Sequence, residues 1–86
     1  LRAAGRYADA AEVLRRAERG RRWDRRTAQV LSYELGEIVE RHLGDADQAC
    51  AHWARHAARF PGGRYDGAVA AARERLGCPD AGAGTP

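Results

Sequence analysis

Apolar residues in this chain recur at spacings of three and four, and no stretch alternates apolar with polar for long enough to make a strand. That pattern prescribes helices and little else. The residues that favour strands are correspondingly few: Val13, Val30, Val39, Val69, Ile38, Thr27 and Thr85 are the whole β-branched set, against an abundance of Ala, Leu, Arg and Glu. With 86 residues there is room for one domain at most, and a chain of this size buries only a modest share of its unfolded surface. The expected class is therefore all-α, a single small domain over residues 1–79, with the low-complexity tail 80–86 expected to be disordered.

Glycine, aspartate and proline divide the pattern into four segments. The first helix is predicted from Tyr7 to Arg19, with Tyr7, Ala10, Ala11, Leu14 and Ala17 on its buried stripe and Gly20 just past its end. Asp24 is placed to cap a second helix from Arg25 to Leu43, whose stripe is Ala28, Leu31, Leu35, Ile38, Val39 and His42. Gly36 lies inside that helix at a cost of about 1 kcal/mol relative to Ala, which predicts the close approach of a neighbouring helix. After Gly44 and Asp45 a third helix is expected from Ala46 to Phe60, buried through Ala46, Ala49, Cys50, Trp53, Ala57 and Phe60 and stopped by Pro61-Gly62-Gly63. The fourth is expected from Tyr65 to Leu76, buried through Tyr65, Ala68, Val69, Ala72 and Leu76, with Gly77 as its cap and Pro79 forbidding continuation. Short connections make sequential helices antiparallel neighbours, and Ala-rich stripes let them approach closely, as in stacked helical hairpins.

The middle of the chain resembles a tetratricopeptide repeat. Leu35-Gly36 match the pair in that family's first helix, Ala49 the small residue of its second, Trp53 the large apolar residue that follows, and Pro61 the terminating proline. Gly36 to Ala49 is one residue longer than the family's spacing, which predicts an extended loop through Leu43-Gly44-Asp45. Gly5 to Ala10 resembles the loop and small residue that open a second helix, whereas the fourth helix lacks the Leu-Gly pair. The segments around the third helix also resemble envelope-associated repeats of bacterial lipoproteins and regulators. The resemblance implies a short right-handed superhelix: the second helix of one repeat, one complete repeat, and the first helix of the next. It further implies a non-catalytic scaffold for a protein or peptide partner, located in the periplasm or cell envelope, with the cytoplasm as the alternative. Its concave groove would be lined by Val30, Tyr33, Glu37 and Arg41, with Tyr33 as the anchor. The alternative is an ordinary exposed tyrosine, or one covered by the first helix.

Four further features carry chemistry. Cys50, near the start of the third helix, and Cys78, after the end of the fourth, lie at the same end of an antiparallel pair, so they are candidates for a disulfide closing a loop of just under thirty residues. The alternative is a small core residue and an unpaired surface thiol. His52 and His56 are one turn apart, as two metal ligands would be, but no third ligand is evident, and the pair reads more simply as a solvated flank with Arg55 and Arg59. The run Arg15, Arg16, Arg19, Arg21, Arg22, Arg25 and Arg26, with Trp23 inside it, is the main basic patch, and Arg15, Arg19, Arg22 and Arg26 are its candidate contacts for nucleic acid or an anionic surface. Interleaved Glu12, Glu18 and Asp24, and the absence of a recognition motif, weigh against nucleic acid. The acidic run Glu34, Glu37 and Glu40, with Arg41, reads as a solvated helix face.

No catalytic constellation is evident: the single serine, Ser32, faces the core of its helix, and no histidine stands at an evident distance from a nucleophile. No cofactor is implied. All fifteen basic residues are Arg, which the codon usage of a GC-rich genome explains, and the net charge is a mild +3. No apolar run approaches a membrane span. The chain begins at Leu1 without Met, so it is expected to be a mature or excised piece, and two hairpins alone are thin for a repeat stack. Self-association through exposed ends, as a homodimer or structural module of a larger envelope protein, is the further alternative.

Overall fold

The punctuation residues act locally as side-chain and backbone chemistry requires. Asp24 Oδ2 accepts a hydrogen bond from the Thr27 amide at 3.2 Å, and Asp45 Oδ1 accepts from the Gln48 amide at 3.0 Å. Each carboxylate satisfies a donor that the first turn of a helix leaves open. The computed structural model describes residues 2–20 and 22–79, and these form four α-helices: α1 (Arg2–Gly20), α2 (Arg25–Arg41), α3 (Ala46–Arg59) and α4 (Asp66–Leu76). The tail at 80–86 and Arg21 lie outside the described residues.

Helix α1 begins five residues before the expected Tyr7 and runs through Gly5, which is exposed. One solvent-facing Gly costs about 1 kcal/mol, too little to stop a helix with good formers on both sides. Helix α2 ends at Arg41, two residues short of Leu43, because the Leu43 amide turns back to the Ile38 carbonyl at 3.0 Å and Gly44 takes a positive φ of 66°. Tyr65 is the cap residue of α4 and not its first turn. At the other end of α4, the Cys78 amide reaches the Arg73 carbonyl at 2.9 Å and the Gly77 amide the Glu74 carbonyl at 3.1 Å. With Gly77 at φ 68° this is a Schellman turn, which a side-chain-bearing residue would enter only with strain.

Each helix packs antiparallel against its neighbour in sequence, and non-sequential helices meet only through side chains. The core is Ala11 of α1, Leu35 and Val39 of α2, Ala49 and Trp53 of α3, and Val69 and Ala72 of α4. Trp53 is fully buried. Helix α2 is covered on two sides, so its buried face is wider than one stripe: Gln29, Ser32 and Gly36 are buried as well, while Leu31 and Ile38 are only half-buried. Leu14 is half-buried against the core, and Ala46, at the first position of α3, and Ala68 are exposed. His42, expected on the core side, is exposed and lies flat on Tyr7 of α1, ring centroids 3.6 Å apart.

Three interactions lock the helices together. The first is a notch at Gly36: a methyl group there would overlap Trp53 Cη2 and stand 2.5 Å from Trp53 Cζ3 and 2.8 Å from His52 Cδ2. The indole therefore lies directly on the α2 backbone. The second begins at the same indole. Trp53 Nε1–H donates to Glu40 Oε1 at 3.1 Å, and Arg75 donates from Nε and Nη2 to Glu40 Oε2 at 2.9 and 2.6 Å. The Glu40 side chain is only 6% exposed, so the sequence reading of a solvated acidic face fails at this residue. Buried between an indole N–H and a two-pronged guanidinium, the carboxylate joins α2, α3 and α4. The third is the disulfide between Cys50 and Cys78, whose Cα atoms are 5.4 Å apart.

Two measurements test this account. At an ordinary exposed helix position Gly→Ala stabilises by about 1 kcal/mol. Gly36→Ala instead is expected to destabilise by about 1–3 kcal/mol in urea unfolding, because the methyl meets a rigid ring. Reduction of Cys50–Cys78 is expected to lower stability by about 3.5 kcal/mol, the loop-closure value for this separation, measured as the difference between oxidised and reduced protein in the same titration.

Candidate functional site

The expected groove residues lie along α2. Val30 and Tyr33 are half-buried, and Glu37 receives Arg41 Nε at 2.9 Å. Tyr33 is not a free exposed ring. It stacks on Tyr65 from the entry to α4, with centroids 4.1 Å apart and planes 6° apart, and its edge packs towards Trp53 at 5.6 Å. Burial first, and then the hydrogen bond and negative charge of Glu37, push the Tyr33 hydroxyl above its usual range, so it stays neutral at physiological pH. Arg64 lies over the Tyr65 ring at 5.2 Å. The face is thus a tyrosine pair bordered by an ion pair and by a second arginine, with the rings ordered by the fold.

A second site, not legible in the sequence, opens between α1 and α3, with α2 as its floor. It is a cleft of about 350 Å³. Its rim carries Arg15 and Arg19 from α1 and Arg55 and Arg59 from α3; its floor holds Ser32, His52 and His56. Each arginine pair is one helical turn apart, so each presents both guanidinium groups on one side of its helix. The basic patch is therefore split. Arg15 and Arg19 join the cleft, whereas Arg22 and Arg26 are exposed and do not line it. Trp23 is half-buried, its Nε1–H donating to the Ala17 carbonyl at 2.7 Å, and so it pins the α1–α2 loop.

The floor overturns the reading of His52 and His56 as a solvated flank: both are buried. Their place in α3 puts them on the side facing α2, where Ser32 meets them. His52 Nε2 lies 2.7 Å from the Ser32 carbonyl oxygen, which can only accept, so this nitrogen carries the proton. It also lies 3.4 Å from Ser32 Oγ, and Ser32 Oγ is 2.8 Å from His56 Nδ1. The arrangement consistent with these contacts has Ser32 Oγ accepting from His52 and donating to His56 Nδ1, leaving the His56 proton on Nε2. Serine and histidine are therefore in contact, although the sequence alone gave no sign of it. Ser32 sits mid-helix, however, where neighbouring amides are already committed to helix bonds and cannot serve as an oxyanion hole.

Burial is the main reason both imidazoles titrate below 6.5. At His52 it outweighs the Ser32 carbonyl and the charge of Glu18; Arg55 and Arg15 add to the lowering. At His56 the neighbouring His52 adds to the lowering, as does Arg59, while Asp66 opposes it. Two ring nitrogens and one serine form no metal shell, and among the described residues no three His, Cys, Asp or Glu side chains gather to hold an ion. No helix among them is long and apolar enough to cross a membrane. Comparison with protein-family models, with curated proteins and with solved structures found no match to the chain.

The lowered imidazole pKa values set a pH dependence. Unfolded histidines bind protons from about pH 6.5 downward while the folded ones resist, so the unfolded state takes up more protons in that window. Stability is expected to be full above about pH 6.5 and to fall as pH drops towards the depressed folded values, read as a lower urea midpoint at about pH 5 than at about pH 7.5. A midpoint unchanged across that range would refute buried neutral imidazoles.

Proposed function

We propose that this chain is a non-catalytic protein-interaction module of tetratricopeptide type, whose α2 face receives a segment of a partner protein. The observation that carries the reading is the Tyr33–Tyr65 stack, bordered by Val30 and by the Glu37–Arg41 ion pair. Ordered aromatic rings beside charged groups supply contact area at low entropic cost and a polar edge for register. Helical hairpins in series agree with the repeat architecture that Leu35-Gly36, Ala49, Trp53 and Pro61 imply, and the Gly36 notch gives the small residue of that pattern a physical role. The Cys50–Cys78 disulfide favours an oxidising compartment, in keeping with the cell envelope. The committed helix amides around Ser32 favour binding over chemistry.

The test uses Arg41, which is exposed, and Glu37, which is half-buried, and the urea midpoint of the variant is matched to wild type so that folding is not the variable. A crosslinking capture from the native envelope fraction is expected to recover a partner with the wild-type chain and to lose it with the charge-swapped Glu37→Arg/Arg41→Glu variant. That variant preserves the pair while reversing its direction. Capture unaffected by the swap would remove the α2 face as the site. Concentration-dependent light scattering of the chain alone would then decide for or against self-association.

A further inference from the structure

We propose that the cleft between α1 and α3 is an oxyanion site, built for a dianionic phosphate monoester. The rim brings four guanidinium groups, Arg15, Arg19, Arg55 and Arg59, around one space, and among the described residues the only carboxylate lining it is Glu18. Like charges gathered around one cleft repel, and a fold tolerates the arrangement best when an anion offsets it.

The internal acids do not saturate these groups. Glu12, on α1, stands 4.0 Å from Arg15 and 3.9 Å from Arg19, at the limit of an ion pair, and makes its hydrogen bond at 3.3 Å with Arg16, which does not line the cleft. Glu18 stands 3.9 Å from Arg59. Arg15 has one further contact, 3.5 Å to Gln48 Oε1, and Arg55 makes no ion pair among the described residues. Most of the guanidinium donors are therefore unspent, and the fork of N–H groups on each matches two oxygens of a phosphate.

The class of anion follows from charge and volume. A single carboxylate would leave most of the positive charge unbalanced, whereas a dianion reached from both walls uses arginines of α1 and α3 together. The cleft, at about 350 Å³, is several times larger than one phosphate group, so the phosphate carries an organic substituent. The floor suits the substituent's polar edge: Ser32, His52 and His56 are neutral and mutually hydrogen-bonded, and His56 Nε2–H has no protein partner among the described residues. This site stands apart from the Tyr33 face and does not depend on the identity of any partner there.

Isothermal titration calorimetry of the full chain with phenyl phosphate, inorganic phosphate and acetate tests the inference. One saturable site is expected, with phenyl phosphate binding at least as tightly as inorganic phosphate and acetate not saturating. Arg15→Gln/Arg55→Gln is expected to weaken phosphate by about tenfold or more, since each lost guanidinium removes charge-assisted hydrogen bonds. Arg22→Gln/Arg26→Gln, which removes the same charge outside the cleft, is expected to change it by less than about twofold. In proton NMR the ring signals of His52 and His56 move with phenyl phosphate, and those of His42, stacked on Tyr7, do not. Absence of a saturable site overturns the proposal. So does an equal loss in the two double variants, which marks diffuse attraction to a basic surface, or a shift at His42 alone.

Discussion

The fold depends on one contact: the indole of Trp53 lying on the bare α2 backbone at Gly36. A large aromatic ring normally holds two helices apart. Here the missing side chain lets the ring occupy the space between them and brings α2 and α3 close enough to share it. Its apolar faces are then surrounded by Leu35, Val39, Ala49 and Val69, and its one polar atom needs a partner within the same layer. Glu40 supplies that partner, and Arg75 supplies the charge that a buried carboxylate requires. Thus a glycine on α2 determines the depth of a tryptophan on α3, which determines the place of an acid on α2, which fixes an arginine on α4.

That chain of dependencies also explains why α2 has two unlike sides. Towards α4 it offers Glu40 and the stacked Tyr33, both tied to residues that come later in the sequence. Towards α1 and the far flank of α3 it offers Ser32 to two imidazoles. The apolar residues of so short a chain are largely used around Trp53, so this flank is lined with polar groups that hydrogen-bond to one another. Their mutual hydrogen bonds are what make a buried polar layer tolerable. Arg15, Arg19, Arg55 and Arg59 then surround it.

The sequence carried the architecture well, because helix spacing and capping are local properties. Asp24, Asp45, Gly44 and Gly77 act within a few residues of where they stand, and the four segments follow. Gly36 was legible as a packing residue for the same reason: its cost is local even though its partner is not. The disulfide could be placed as a candidate once antiparallel neighbours were assumed. What escaped was whatever depends on the rotation of one helix against two others. His52 and His56 occupy the same side of α3, and only the position of α2 decides that this side is closed. Glu34, Glu37 and Glu40 look alike in sequence; only Glu40 faces Trp53 and Arg75, and nothing local distinguishes it. The cleft needed Arg15 and Arg19 to meet Arg55 and Arg59 across forty residues of chain, and the contiguous run of arginines drew attention to Arg22 and Arg26 instead.

The Schellman turn at Gly77 has a further consequence through the cysteine it delivers. Exposed loop tips are where proteases cut, and the turn after α3 presents Pro61, Gly62 and the basic Arg64 to solvent. A scission there would divide the backbone between α3 and α4. The two pieces would nonetheless stay one covalent molecule, because Cys50 and Cys78 stand on opposite sides of the cut. Arg75 would remain beside Glu40, and Tyr65 would travel with a helix still held in place. After a single cut following Arg64 the chain would thus remain a nicked but assembled body, with Tyr65 still stacked on Tyr33.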